Sequence, residues 1–81
     1  MNRETALAHA RRVAAEAEDR IGLQQLLIVR LRDQGADATR AAQLLDEMND
    51  ALHLARDRLA REEAVDRVAL WLQPPPTATT Q

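Results

Sequence analysis

The chain has no cysteine, serine, lysine, phenylalanine or tyrosine, and only two glycines and one tryptophan in 81 residues. Without cysteine there is no thiol nucleophile, no disulfide staple and no thiolate metal site. Without serine, the hydroxyl nucleophiles reduce to Thr5, Thr39 and the three threonines beyond Pro76. The two glycines, Gly22 and Gly35, stand alone, so no glycine-rich loop cradles a phosphate. Aromatic residues make up 1% of the chain, which leaves little of the aromatic and β-branched material that strands draw on. No apolar run approaches the roughly 18–20 residues that span a bilayer. A net charge of −2 provides no overall attraction to nucleic acid or to an anionic membrane surface.

What is present is the composition of a small ordered helical protein. Hydrophobic residues make up 46% and charged residues 30%, too apolar for a disordered chain. Eighty-one residues accommodate one small domain. All the basic side chains are arginine, eleven in number, which the alanine-rich composition explains first as coding bias and only second as a need for the planar guanidinium. Arg3, Glu4, Arg11 and Arg12 interrupt any apolar stretch near the start, so a secretory signal is not expected. Glu4, Glu16, Glu18 and Asp19 argue against an organellar presequence. The expected location is the cytoplasm.

Periodicity carries the fold. Leu7, Ala10, Ala14, Ala17, Ile21, Gln24, Ile28 and Leu31 step alternately by three and four, a heptad seam with one polar member. With Asn2 as cap and Glu4 in the first turn, this predicts a helix over about 3–33. Gly35 is the interior stop, able to take the left-handed conformation beyond a helix end. Asp37 or Thr39 offers an oxygen to cap the next helix. Ala41, Leu45, Met48, Leu52, Ala55 and Leu59 repeat the seam in a second helix over about 39–72, with a turn at 34–38. Beyond Arg61 the register fails, since Glu62 and Asp66 would fall on the seam. The apolar set there moves to Ala64, Val65, Val68, Ala69 and Leu72. Pro74, Pro75 and Pro76 end the helix, and 74–81 reads as a disordered Pro/Thr tail. The fold class is therefore all-α, an antiparallel two-helix hairpin of coiled-coil type over 1–73. Folding at Gly35 pairs residues whose numbers sum to about 73, so that Ile28 meets Leu44 or Leu45, Ile21 meets Leu52, and Leu7 meets Val65. Gln24 falls opposite Met48 or Asn49, and amides at a seam specify register at a cost in stability.

One seam does not use all the apolar residues. Leu23, Leu26, Leu27 and Val29 surround the first helix, and Leu44, Ala51 and Leu54 lie beside the seam of the second. A helix apolar on several sides is buried on several sides. Four or five such leucines left in water forfeit on the order of 10 kcal/mol, as much as a domain's net stability. The turn end is thus expected to pack on another chain, most simply a second copy, as a dimeric four-helix bundle. Gly22, costing about 1 kcal/mol against alanine in a helix interior, suits close approach of another helix there. Trp71 is expected to cover the start of the first helix near Leu7 and Ala10, or to lie in an interface. The expected interface residues are Leu23, Leu26, Leu27, Val29, Leu44, Leu54 and Trp71.

The stretch from Val13 to Leu59 carries a recognisable pattern. It comprises Ile21, Gln24, Leu27, Ile28 and Leu31, then Gly35, Asp37, Ala41, Leu44, Leu45, Met48 and Leu52. In this it resembles a group of uncharacterised small alphaproteobacterial proteins of rhizobial type. Ala38 stands where many of them have threonine, and Arg12 where they often have histidine. The resemblance implies a helical hairpin and brings no catalytic residue with it.

Candidate chemistry is sparse. Asp50 and His53 have the spacing of carboxylate–histidine ligands in metal-binding bundles. The opposing positions, near Arg20 and Leu23, supply no inward carboxylate, so no metal is expected. His9 and His53 lie far apart on different helices, and acid–base work by either lacks a pocket. No catalytic residue and no cofactor are expected. Acids interleave with the arginines in helix-surface pairs such as Glu16–Arg20, Asp57–Arg61 and Glu63–Arg67. The function expected is a non-enzymatic oligomerisation or protein-interaction module, a homodimer or a binder of another protein. Neither a membrane nor nucleic acid is an expected partner. The second reading is a nucleic-acid-associated regulator using Arg30, Arg32 and Arg40 near the turn.

Overall fold

The computed structural model describes residues 4–72. These form two α-helices, α1 (Ala6–Asp33) and α2 (Thr39–Leu72), packed on each other, with no strand among the described residues. At about 1.5 Å per residue, α1 extends ~42 Å and α2 ~51 Å. The expected Pro/Thr tail and the expected cap Asn2 lie outside the described residues.

α1 begins later than the seam spacing suggests. Thr5 is the cap, in extended conformation, and its Oγ1 accepts the Ala8 N–H at 3.0 Å. Its carbonyl accepts the His9 N–H at 2.9 Å as the first helical bond. Glu4 therefore precedes the helix instead of occupying its first turn. A threonine hydroxyl aligned on an otherwise unpaired donor fixes that boundary.

At the other end of α1 the chain reverses through Gly35, at φ +72. The Ala36 N–H reaches back to the Leu31 carbonyl at 2.8 Å, and the Gly35 N–H to that of Arg32 at 3.0 Å. This paired pattern is the Schellman motif, which satisfies two carbonyls that the helix leaves open. Of the two candidate caps for α2, Asp37 takes the part. Its Oδ1 accepts the Thr39 N–H at 2.9 Å and the Thr39 hydroxyl at 2.6 Å. Ala38 tucks between the helices, and its carbonyl accepts the Ala42 N–H at 2.9 Å.

All eight expected seam positions of α1 are buried or half-buried, and so are the six of α2 from Ala41 to Leu59. Ala10 and Ala14 sit deepest, at 2% and 4% exposure. Alanines bring the helix axes close, and the large apolar side chains that are buried reduce to Ile21, Ile28 and Leu52. Two cross-helix contacts gauge the register. Arg56 Nη2 donates to Glu18 Oε1 at 3.0 Å, between positions whose numbers add to 74. Gln24 is buried and donates its Nε2 to the Ala41 carbonyl at 2.9 Å, between positions whose numbers add to 65, so the two side-chain contacts bracket the register. It does not pair with Asn49, which is exposed. A helix-end carbonyl within reach of the amide makes a partner as good as a second amide.

Beyond Arg61 the structure departs from expectation. Glu62 and Glu63 remain half-buried, while Val65, Val68, Leu70, Trp71 and Leu72 are exposed. Val65 does not cover Leu7, and Trp71, 89% exposed, does not cover the start of α1. α2 has 34 residues and α1 has 28, so on this register the last turn of α2 projects past Ala6 and meets no helix. Beyond its adjoining residues and its own helix backbone, Gly22 likewise has no atom within 4 Å of the position a Cβ would take.

The two glycines should therefore respond oppositely to alanine. Gly35→Ala forces a β-carbon into the left-handed region and should destabilise the hairpin by about 1–2 kcal/mol. Gly22→Ala meets no obstacle and should stabilise it by roughly 0.5–1 kcal/mol. Urea unfolding followed by circular dichroism checks both signs.

Candidate functional site

With one contact line between two helices, the remaining apolar residues are left on the outside. Leu23 and Leu27 are one helical turn apart, beside the α1 seam. On α2, Leu44, Ala51 and Leu54 step by seven and three, beside that seam. Leu27 and Leu44 line one groove together with Gln24, Ala41, Arg40, Gln43 and Glu47. The two stripes therefore lie on the same side of the hairpin. Leu26, one turn beyond Leu23, borders this side. Leu23 is 68% exposed, Leu54 70%, and Leu27 and Leu44 just under half. All four lie within the half of the hairpin nearest the turn.

The other expected interface residues separate from this group. Val29 lines the opposite groove, with Gln25, Ile28, Arg32, Ala42, Leu45 and Asp46. Trp71 lies at the far end of α2, with Val68, Leu70 and Leu72 around it. The seven residues thus form one patch of four leucines, with Leu26 outside its edge, and two outliers. The division is a matter of helix phase: a residue one position away along the chain turns by about 100° around the axis.

Along the leucine side, away from the turn, the residues become polar. Exposed Arg20, half-buried Glu16 and exposed Arg12 follow on α1, and exposed Arg58 on α2. Arg12 anchors a network at the start of α1. Its Nε donates to Glu4 Oε2 at 3.0 Å and its Nη2 to Glu4 Oε1 at 2.9 Å, a bidentate pair. Its Nη1 donates to Glu16 at 2.7 Å. His9 Nδ1 lies 3.0 Å from Arg12 Nη2 and 3.3 Å from Glu4 Oε1, accepting from the first when it carries no proton and donating to the second when it does. Glu16 thus pairs with Arg12 rather than with Arg20. The Glu4–Arg12 pair spans eight residues, beyond the three- and four-residue spacings of a helix surface. It forms because Glu4 lies ahead of the cap and folds back. A late-starting helix is the signal that would have disclosed it.

Chemical groups do not converge elsewhere. His53 and Asp50 are exposed on α2, and among the described residues no three of His, Asp and Glu gather as a metal ion would need. Arg30 and Arg32 occupy the last turn of α1, where the helix dipole favours cations, and Arg40 lies across the turn. No helix among the described residues is long and apolar enough to cross a membrane.

No family model matches this chain, and no curated protein or solved structure does.

Two carboxylates couple the fold to pH. Hydrogen bonds from the Thr39 hydroxyl and N–H hold Asp37 below its ordinary range. The Arg12 guanidinium, with a smaller effect from His9, does the same for Glu4. A depressed carboxylate contributes stability that is complete above its unfolded pKa, about 4, and is lost as pH falls through the folded value. Helicity should hold from neutrality to about pH 4.5 and decline below it. Asp37→Ala combined with Glu4→Ala should make that acid decline shallower in a circular dichroism titration.

Proposed function

We propose that this chain is a non-enzymatic, cytoplasmic interaction module that self-associates, two hairpins stacking through their leucine sides into a four-helix bundle. The observation that supports this reading is the contrast between interior and exterior. The seam buries three large aliphatic side chains, Ile21, Ile28 and Leu52, whereas Leu23, Leu27, Leu44 and Leu54 lie exposed on one outer side. Each leucine transferred from water contributes about 1.5–3 kcal/mol, so covering that side is a large gain for a chain of this size. A second copy supplies a matching surface by symmetry, since a two-fold interface presents the same patch twice. The bundle geometry suits the material: long helices, one short loop and antiparallel neighbours.

The turn-proximal arginines have a local explanation. Arg30 and Arg32 face the negative end of α1, and Asp33, Asp37 and Asp46 stand among them and Arg40. Three aspartates close in sequence match these three arginines in number, which favours the protein-interaction reading over nucleic-acid binding.

Sedimentation equilibrium across a dilution series tests the proposal. The expected result is a dimer in the micromolar range, and Leu54→Asp should raise its dissociation constant at least ~10-fold. A folded monomer at every concentration would overturn self-association and assign the leucine side to a different protein.

A further inference from the structure

The apolar end of α2 and the leucine groove near the turn lie on one side of the same helix. Glu47 and Val65 are 18 residues apart, five full turns, and so are Leu54 and Leu72. Leu44, Ala51, Val65 and Leu72 fall on one seven-residue spacing, which drifts only ~20° per repeat. One stripe therefore runs from the Leu27–Leu44 groove, past Leu54, to the last turns of α2. All its members are exposed, Val65 at 62% and Leu72 at 78%. They all belong to α2, so the stripe does not depend on how α1 and α2 are registered.

We infer that the second copy covers this stripe end for end, with the last turns of its α2 seated in the Leu27–Leu44 groove and the same contact repeated by symmetry. This rests on the self-association reading above and adds the apolar end of α2 to the interface.

Extent is the first reason. A stable interface takes about 20–30 residues from each side, and four leucines with their groove neighbours supply far fewer. They occupy the half of the hairpin nearest the turn, and the end of α2 lies in the other half. A contact that uses both runs the length of the helix. The two parts also complement each other in shape. The groove is a hollow between two helices, and beyond Glu63 α2 is a lone helix exposed all round. Val65, Val68, Ala69 and Leu72 have the three, four and seven spacing with which a helix anchors in an apolar groove. A two-fold axis across α2 seats each end in the other copy's groove at once.

Charge is the second reason. With Val68 of the second copy over Leu44, facing positions of the two α2 helices have numbers that add to 112. Val65 of the second copy then lies over Glu47, and its Arg61, one turn along, comes within reach of the Glu47 carboxylate. Arg40, which lines the groove, meets the carbonyl end of the second copy's α2, where the helix dipole favours a cation. The two Arg58 side chains approach each other at the axis and lay their aliphatic stems over Leu54. One like-charge approach at the centre thus stands against favourable contacts at both ends.

Val65→Asp should raise the dissociation constant at least ~10-fold, as Leu54→Asp does, and leave helicity unchanged by circular dichroism, since the position is exposed. A disulfide tests the alignment, because the chain has no native cysteine. Glu47 and Val65 of one copy are ~27 Å apart along α2, at ~1.5 Å per residue, whereas a disulfide needs Cα atoms within about 7 Å. Across the dimer the two positions face each other. Mild oxidation should link the double variant Glu47→Cys, Val65→Cys into a covalent dimer and leave either single variant monomeric on a denaturing gel. A dissociation constant raised by Leu54→Asp but unmoved by Val65→Asp, an unlinked double variant, or a linked single variant overturns this inference and leaves self-association standing. A monomer throughout overturns self-association itself, and this contact with it.

Discussion

Two helices share one line of contact, and a helix surface carries several stripes of side chains. That constraint organises this protein. The line is occupied by Ala10, Ala14, Ile21, Gln24 and Ile28 from α1, and by Leu52 with its half-buried neighbours from α2. Small residues over much of its length let the backbones approach. A close, narrow seam has little room beside it, so Leu23, Leu27, Leu44 and Leu54 stay outside even though they adjoin it.

The polar features follow from the same geometry at the hairpin's two ends. At the turn, Gly35 in the left-handed region and the Asp37 carboxylate satisfy backbone groups that the helix ends leave open. At the open end no second turn joins the helices among the described residues, and the start of α1 is held by Thr5 and by the Glu4–Arg12 pair. Gln24, the one buried polar side chain on the seam, ties α1 to the first turn of α2 through the Ala41 carbonyl. A shift of one helix along the other would strand that amide, so it resists slippage that an all-aliphatic seam would tolerate.

The proposed function is one of surfaces, not of reactive groups. Between the turn and mid-helix the leucine side carries Leu23, Leu27, Leu44 and Leu54 with Arg40 and Glu47 among them, and past mid-helix it carries alternating charge. An apolar patch supplies affinity with little orientation, and flanking charges supply orientation with little affinity. The same stripe of positions carries both.

The helix count, the turn at Gly35 and the seam were legible in the residues, because a three-four alternation held over eight positions has no other compact solution. The apolar excess near the turn was legible as well, since counting leucines against one seam needs no coordinates. Three features were not. The start of α1 depends on a threonine hydroxyl finding the Ala8 N–H, and several residues nearby have the chemistry to cap. The fates of Val65 and Trp71 depend on how far α2 runs past α1, a difference of helix lengths that periodicity does not measure. The division of the seven candidate interface residues into one patch and two outliers depends on the phase of each helix about the shared contact line. Periodicity assigns each residue an angle about its own helix, but only the packed pair relates the two sets of angles. The sequence by itself therefore determined which residues face the partner helix, through local spacing. Only the tertiary structure decided which of the others lie together, because that relation belongs to two helices at once.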